Sequence, residues 1–221
     1  MKPALPSIWL GDFESKSEFD QVFQNSLNTS KIFDWIDDQL LVSRHPFSYP
    51  AFCTVCENTT KIKINWMYGG WSNLTKSIHP AWTETGVCEK CGLNSRMRAL
   101  IDFLKNYIQI DTDLKVYIAE EITPFFKKLK VLFPKIIGSE YIGRNIESGK
   151  IVFSGRGLKR IRHEDLTNLS FNSETFDLMI TLDVFEHIPD YSKAFRESFR
   201  ILSPKGYLIF TIPFFLTVKK L

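Results

Sequence analysis

Phe176-Asp177-Leu178-Met179-Ile180-Thr181-Leu182-Asp183-Val184-Phe185-Glu186-His187-Ile188-Pro189-Asp190 decides how the C-terminal half is read. Phe176 to Leu182 is a short, mostly apolar run bounded by polar residues, which marks a buried strand. An acid, Asp183, stands directly past its end. Tyr191 to Leu202 then places Ala194, Phe195, Ser198, Phe199 and Leu202 on one helical face. Pro204-Lys205-Gly206 gives a turn, and Tyr207 to Ile212 a further strand.

Working upstream, Arg98 to Ile108 reads as a helix and Lys115 to Ala119 as a strand. Pro124 to Leu132 is a helix with Thr123 as N-cap and proline at its first position. Ile136 to Ser139 is a strand ending at Glu140, and Leu158 to Arg162 is another. Strands alternating with helices predict the α/β class: a Rossmann-like, doubly wound, mostly parallel sheet with right-handed crossovers. Such sheets bind ligands outside the carboxyl ends of their strands, so the residues just past each strand matter most. Glu140 lies about 20 residues beyond Ala119-Glu120, a spacing at which an acid bonds the ribose hydroxyls of an adenosine. A plain surface acid is the alternative at this point.

The four cysteines, Cys53, Cys56, Cys88 and Cys91, form two Cys-x-x-Cys pairs with 31 residues between them. In an intracellular chain such pairs bind metal more often than they form disulfides. Two knuckles closing on one zinc ion with sulfur in all four positions make a structural site, with no place left for a reacting ligand. Gly92 after Cys91 suits a knuckle turn. A redox dithiol or four buried thiols are the alternatives, and His45 and His79 are not needed as ligands. Between the pairs, Lys61-Ile62-Lys63-Ile64-Asn65-Trp66 alternates as a strand does, and Gly69-Gly70 marks a turn.

Before the cysteines, Ser17 to Leu27 and Ser30 to Val42 read as amphipathic helices, the second capped by Ser30 with Ile32, Phe33, Ile36 and Leu40 on one face. His45-Pro46 and Tyr49-Pro50 suggest a boundary. The expected organisation is therefore a helical segment over 1–48, a zinc-ribbon-like module over 49–95 and an α/β domain over 96–221. With 44% hydrophobic residues and 19 phenylalanines the chain can build a packed core. Its net charge of +3, from 28 basic and 25 acidic residues, is too balanced for a dedicated nucleic-acid or membrane-surface protein. Lys127, Lys128 and Lys130 read as the solvated face of a helix. Pro3 and Pro6 interrupt the N-terminus, and no stretch reaches the ~20 apolar residues of a membrane span. The expectation is a soluble, cytoplasmic protein.

The order and spacing of His163-Glu164-Asp165-Leu166-Thr167-Asn168-Leu169-Ser170-Phe171, the Phe176–Asp190 stretch and Ile201-Leu202-Ser203-Pro204-Lys205-Gly206-Tyr207-Leu208-Ile209-Phe210 resemble the later motifs of class I S-adenosylmethionine-dependent methyltransferases, in particular those of type 11. Upstream, Cys88 to Ala99, Val116-Tyr117-Ile118-Ala119-Glu120 and Gly138-Ser139-Glu140-Tyr141 resemble a bacterial subgroup with a cysteine module before the methyltransferase domain. Some members of that subgroup look linked to surface-glycan gene sets. The resemblance implies strand order 3-2-1-4-5, S-adenosyl-L-methionine as cofactor, and a small-molecule or glycan acceptor. It places Glu140 and Tyr141 at the ribose, Asp165 and Leu166 at the adenine, and Glu120, Glu121, Thr123 and Asp183 near the methionine end. Asp183 and His187 become the catalytic candidates, with His187 as general base and Glu186 beside it.

Two departures stand out. The first loop of this family carries a Gly-x-Gly-x-Gly pattern, whereas Ala119-Glu120-Glu121-Ile122-Thr123-Pro124 has no glycine. The chain also ends soon after the fifth strand, so it reads as truncated. That leaves an open apolar edge over Phe210 to Val218 for a protein partner or a second copy to cover. Three functions compete: an active methyltransferase, a cofactor-binding or scaffolding relative without turnover, and a zinc module acting on nucleic acid. The balanced charge disfavours the last.

Overall fold

The computed structural model describes residues 15–18, 20–21, 35–72, 76–107, 113–154 and 159–213. It divides the chain into two compact units, 1–96 and 97–221. Among the described residues no helix is long and apolar enough to cross a membrane.

In the first unit, β1 (Phe47–Cys53), β2 (Asn58–Ile64) and β5 (Val87–Cys88) form an antiparallel sheet in the order β1-β2-β5. Alternation along β2 buries Ile62 and Ile64 and exposes Lys61 and Lys63. Val55 and Leu93 in the same unit are buried as well. A second hairpin pairs β3 (Gly70–Ser72) with β4 (Ser77–His79). Of the predicted N-terminal helices, residues 16–18, 20–21 and 35–40 are helical, while Ser30, Ile32 and Phe33 lie outside the described residues.

Helix α1 (Ser95–Tyr107) leads into the second unit. There a sheet in the order β11-β10-β6-β7 has every neighbouring pair parallel. Its strands are β6 (Val116–Ile118), β7 (Ile137–Gly138), β10 (Phe176–Leu182) and β11 (Leu202–Thr211). The β10 run is buried almost throughout, as a central parallel strand with both faces covered must be. Helix α2 (Pro124–Leu132) has Thr123 as N-cap, its hydroxyl accepting from the Phe126 N–H, and buries Phe125, Phe126 and Leu129. Helix α3 (Tyr191–Ile201) is capped by the Asp190 carboxylate, which accepts from the Lys193 N–H at 2.9 Å. Tyr117, Leu166, Leu169, Phe176, Met179, Phe185, Ala194 and Ile201 form one core cluster. Its leucine, isoleucine, methionine and phenylalanine side chains each contribute about 1.5–3 kcal/mol by leaving water.

Three expectations need correcting. Phe199 is 83% exposed and does not join the apolar face of α3. At about 100° per residue, Ala194, Ser198 and Ile201 share a narrow arc, and Phe199 falls about 140° from Ala194. The Pro204-Lys205-Gly206 turn lies inside β11: Phe176 pairs with Leu202 but Leu178 with Tyr207, so residues 203–206 bulge out. The expected third strand, β9 (Lys159–Arg162), pairs antiparallel with β8 (Ile151–Ser154). It reaches the main sheet only through the parallel bridge between Glu140 and His163. The paired strands run in the order 2-1-4-5 of the expected numbering, and the expected third strand touches them only through that bridge.

Candidate functional site

Two clusters carry chemistry. The turns after β1 and after β5 bring the Sγ atoms of Cys53, Cys56, Cys88 and Cys91 within 4.8 Å of one another. Cys53 and Cys91 are 3.9 Å apart, and Cys56 and Cys88 3.8 Å. A disulfide needs about 2.05 Å, so these are thiols. A tetrahedron with metal–sulfur bonds of about 2.3 Å has edges of about 3.8 Å, so the donor set fits one zinc-sized ion. Gly92 supplies the knuckle turn at φ +72°, and its N–H donates to the Cys88 carbonyl at 2.8 Å. Burial pushes the Cys56 and Cys91 thiols up. Burial also opposes ionisation of Cys88, but hydrogen bonds from the N–H groups of Cys91 and Lys90 together with the Cys91 and Cys53 thiols outweigh it and bring this thiol down to about 6. His79 stands apart from the cluster, with Nε2 2.8 Å from the Ser77 hydroxyl.

The second cluster lies at the carboxyl ends of the parallel strands. Past β6, the Glu121 and Ile122 N–H groups donate to the same oxygen, Oε1 of Glu140, at 2.7 and 3.0 Å. Glu121 in turn accepts from the Arg162 N–H at 3.1 Å. Gly138, at the end of β7, permits this closeness: a Cβ there would sit 2.7 Å from the Glu120 carbonyl oxygen and 2.6 Å from the Phe126 ring. Beneath, the Tyr117 and Ser139 hydroxyls are 2.8 Å apart, and burial raises the Tyr117 pKa well above its usual value.

Past Glu140, Tyr141 is 60% exposed, with its ring 5.4 Å from that of His163. His163 is fully buried. Its Nδ1 accepts from the Ile142 N–H at 3.0 Å, which leaves the proton on Nε2, an atom with no hydrogen-bond partner among the described residues. Asp165 accepts from both the N–H and the hydroxyl of Thr167 at 2.8 Å, and its own N–H donates to Ser148. Leu166 points into the core cluster. Asp183 is left-handed at φ +51°, a conformation uncommon outside glycine. Its carboxylate accepts from the Thr211 hydroxyl at 2.7 Å. Glu186 and His187 lie in the following 3-10 turn (Phe185–His187), with 3.9 Å between carboxylate and ring. Phe185 anchors that turn by stacking on Phe195 at 4.3 Å.

Sequence reasoning missed the ion pair between the half-buried Arg162 and the buried Glu164. Arg162 donates to Glu164 at 2.7 Å, and Glu164 also accepts the N–H and hydroxyl of Ser170 at 2.9 and 2.6 Å. The Arg162 guanidinium lies 4.6 Å from the Phe171 ring centroid. Arginine two residues before glutamate on a strand end was the available signal.

No curated protein matches the chain. Among solved structures, one similar chain is described as a candidate methyltransferase from Bacillus halodurans C-125, at 14% identity and a TM-score of 0.38. The likeness covers 52% of this chain and 46% of that one, so this chain spans less than half of its length. Residues 123–210, from the cap of α2 to the end of β11, match a family model described as a methyltransferase domain, and that stretch is a methyltransferase-like α/β segment.

Proposed function

We propose that the α/β domain, residues 96–221, binds S-adenosyl-L-methionine and transfers its methyl group to an oxygen or nitrogen of a small-molecule or glycan acceptor. We propose also that residues 49–95 form a module around one structural zinc ion. The observation that carries the first reading is that the methyltransferase-domain match spans the strand-end loops holding Glu140, Asp165 and Asp183. The edge geometry of the sulfur cluster supports the second.

When bound, the cofactor supplies an electrophilic methyl group on a sulfonium. Glu140 would hold the ribose with Oε2, since Oε1 already serves the first loop. The exposed ring of Tyr141 would pack beside it. Asp165 would accept from the adenine amine, and Leu166 would contribute backbone alone because its side chain is in the core. Glu120, Glu121 and Thr123 would flank the methionine end, Thr123 chiefly by capping α2. Asp183, held by Thr211, would orient the acceptor, and His187, exposed on its turn, would take the acceptor proton. Most of the rate would come from positioning.

Calorimetric titration of the zinc-loaded chain with S-adenosylmethionine and S-adenosylhomocysteine tests this. Micromolar binding is expected. Asp165→Asn keeps an oxygen for Thr167 but turns an acceptor into a donor, and should weaken binding by about tenfold or more. Failure of the folded wild-type chain to bind either ligand overturns the reading.

A further inference from the structure

We infer that Glu140 is the latch that shapes the glycine-free first loop, and that the Glu121 and Ile122 amides are thereby closed to the carboxylate of a bound ligand. A loop that offers backbone N–H groups to an anion normally needs glycine so that the backbone can approach closely. Ala119 to Thr123 contains none, yet the loop turns tightly. Three contacts replace the glycines. Oε1 of Glu140 gathers two successive N–H groups at 2.7 and 3.0 Å, a charge-assisted pair. Glu121 is pinned from the other side by the Arg162 N–H. The close approach is provided on the neighbouring strand by Gly138, whose missing Cβ makes room for the Glu120 carbonyl and the Phe126 ring. The anion that these amides hold is therefore the protein's own. The ligand half of the inference rests on the proposed cofactor; the latch does not.

Amide exchange followed by NMR on the full zinc-loaded chain tests the latch without ligand. In Glu140→Ala, exchange at Glu121 and Ile122 should accelerate about tenfold or more. Glu140→Gln retains a carbonyl acceptor, so exchange there should stay within about threefold of wild type. Gly138→Ala should speed the same two amides with Glu140 intact. Wild-type exchange at both positions in a folded Glu140→Ala or Gly138→Ala chain overturns the latch. For the ligand half, decarboxylated S-adenosylmethionine, which lacks only the carboxylate, should bind within about threefold of S-adenosylmethionine. A preference for the intact cofactor above about tenfold would mean that the loop amides do take its carboxylate. If neither ligand binds the folded chain, the cofactor reading and the ligand half both fail, while the exchange rates still decide the latch.

Discussion

Arg200→Ala should destabilise the second unit by about 2–3 kcal/mol, and the figure follows from what the guanidinium holds. It donates to both carboxylate oxygens of Glu197, at 2.8 and 2.7 Å, so the pair is bidentate. It also donates to the Phe171 and Leu169 carbonyls at 2.7 and 3.0 Å. Glu197 closes the ring by accepting the Leu169 N–H at 2.9 Å. Helix α3 is thereby tied to the 169–171 loop, whose Phe171 packs edge-on against Tyr117 and Phe176 at 4.9 Å each. A fully exposed ion pair contributes at most about 1 kcal/mol, and breaking a fully buried one costs about 3–5. Here the side chains are 32% and 19% exposed, so water refills part of the gap and the cost lies between those limits. For a domain of this size that lowers the melting temperature by about 10 °C.

Far-UV circular dichroism is the right probe, because all five tryptophans precede residue 97 and report the first unit. The pH dependence sharpens the test. The hydrogen bonds from Arg200 hold the Glu197 carboxyl below its ordinary value of 4.5, against the opposing effect of burial. A depressed carboxyl stabilises the fold fully above its unfolded value, and that stabilisation is lost as pH falls through the lower folded value. The gap between wild type and Arg200→Ala should therefore be constant from about pH 7 to about pH 5 and shrink below about pH 4. A gap under about 0.5 kcal/mol at neutral pH, or one that shrinks as pH rises, refutes the argument.

The remaining predictions concern the sulfur cluster and the buried carboxylate. Metal analysis should find one zinc per chain. Chelation should unfold the first unit, because a structural zinc site contributes about 10 kcal/mol or more, as much as a whole small domain holds in reserve; a tryptophan-monitored transition unchanged by chelator would argue against a structural ion. Glu164→Ala strands Arg162 and the Ser170 N–H, and with Arg162 28% exposed the loss should be about 3 kcal/mol in urea unfolding. Glu164→Gln, which keeps one acceptor, should lose less, and equal losses would show that the pair acts through packing.

Elements with local punctuation were legible in the sequence. Thr123-Pro124 starts α2 where the cap and the fixed proline dihedral require it, and the apolar run Phe176–Leu182 coincides with β10. Strand pairing was not legible, because it depends on partners distant in sequence. Nothing local to Lys159–Arg162 says that its partner is Ile151–Ser154 and that the main sheet receives only the Glu140–His163 bridge. Spacing of apolar residues likewise overcounted the α3 face, since Phe199 matches the period of a broad stripe while only a narrow arc is covered.

The site shows the same division in sharper form. Sequence order placed Glu121, Glu140 and Asp183 past the ends of β6, β7 and β10, and because those strands run parallel in one sheet the three acids lie toward its carboxyl edge. What each side chain is already bonded to could not be read. Glu140 spends one oxygen on residues 18 and 19 positions upstream, and Glu121 accepts from a residue 41 positions downstream. The absence of glycine between Ala119 and Pro124 is a departure only while the loop is considered alone. Close approach between two backbones can be provided from either side, and here Gly138 on the neighbouring strand provides it. A motif defined by glycines in one loop can thus vanish from that loop while its geometric requirement persists in the chain. It follows that introducing glycines at Glu120 and Ile122 with Glu140 in place would add conformational freedom to the loop without opening its amides.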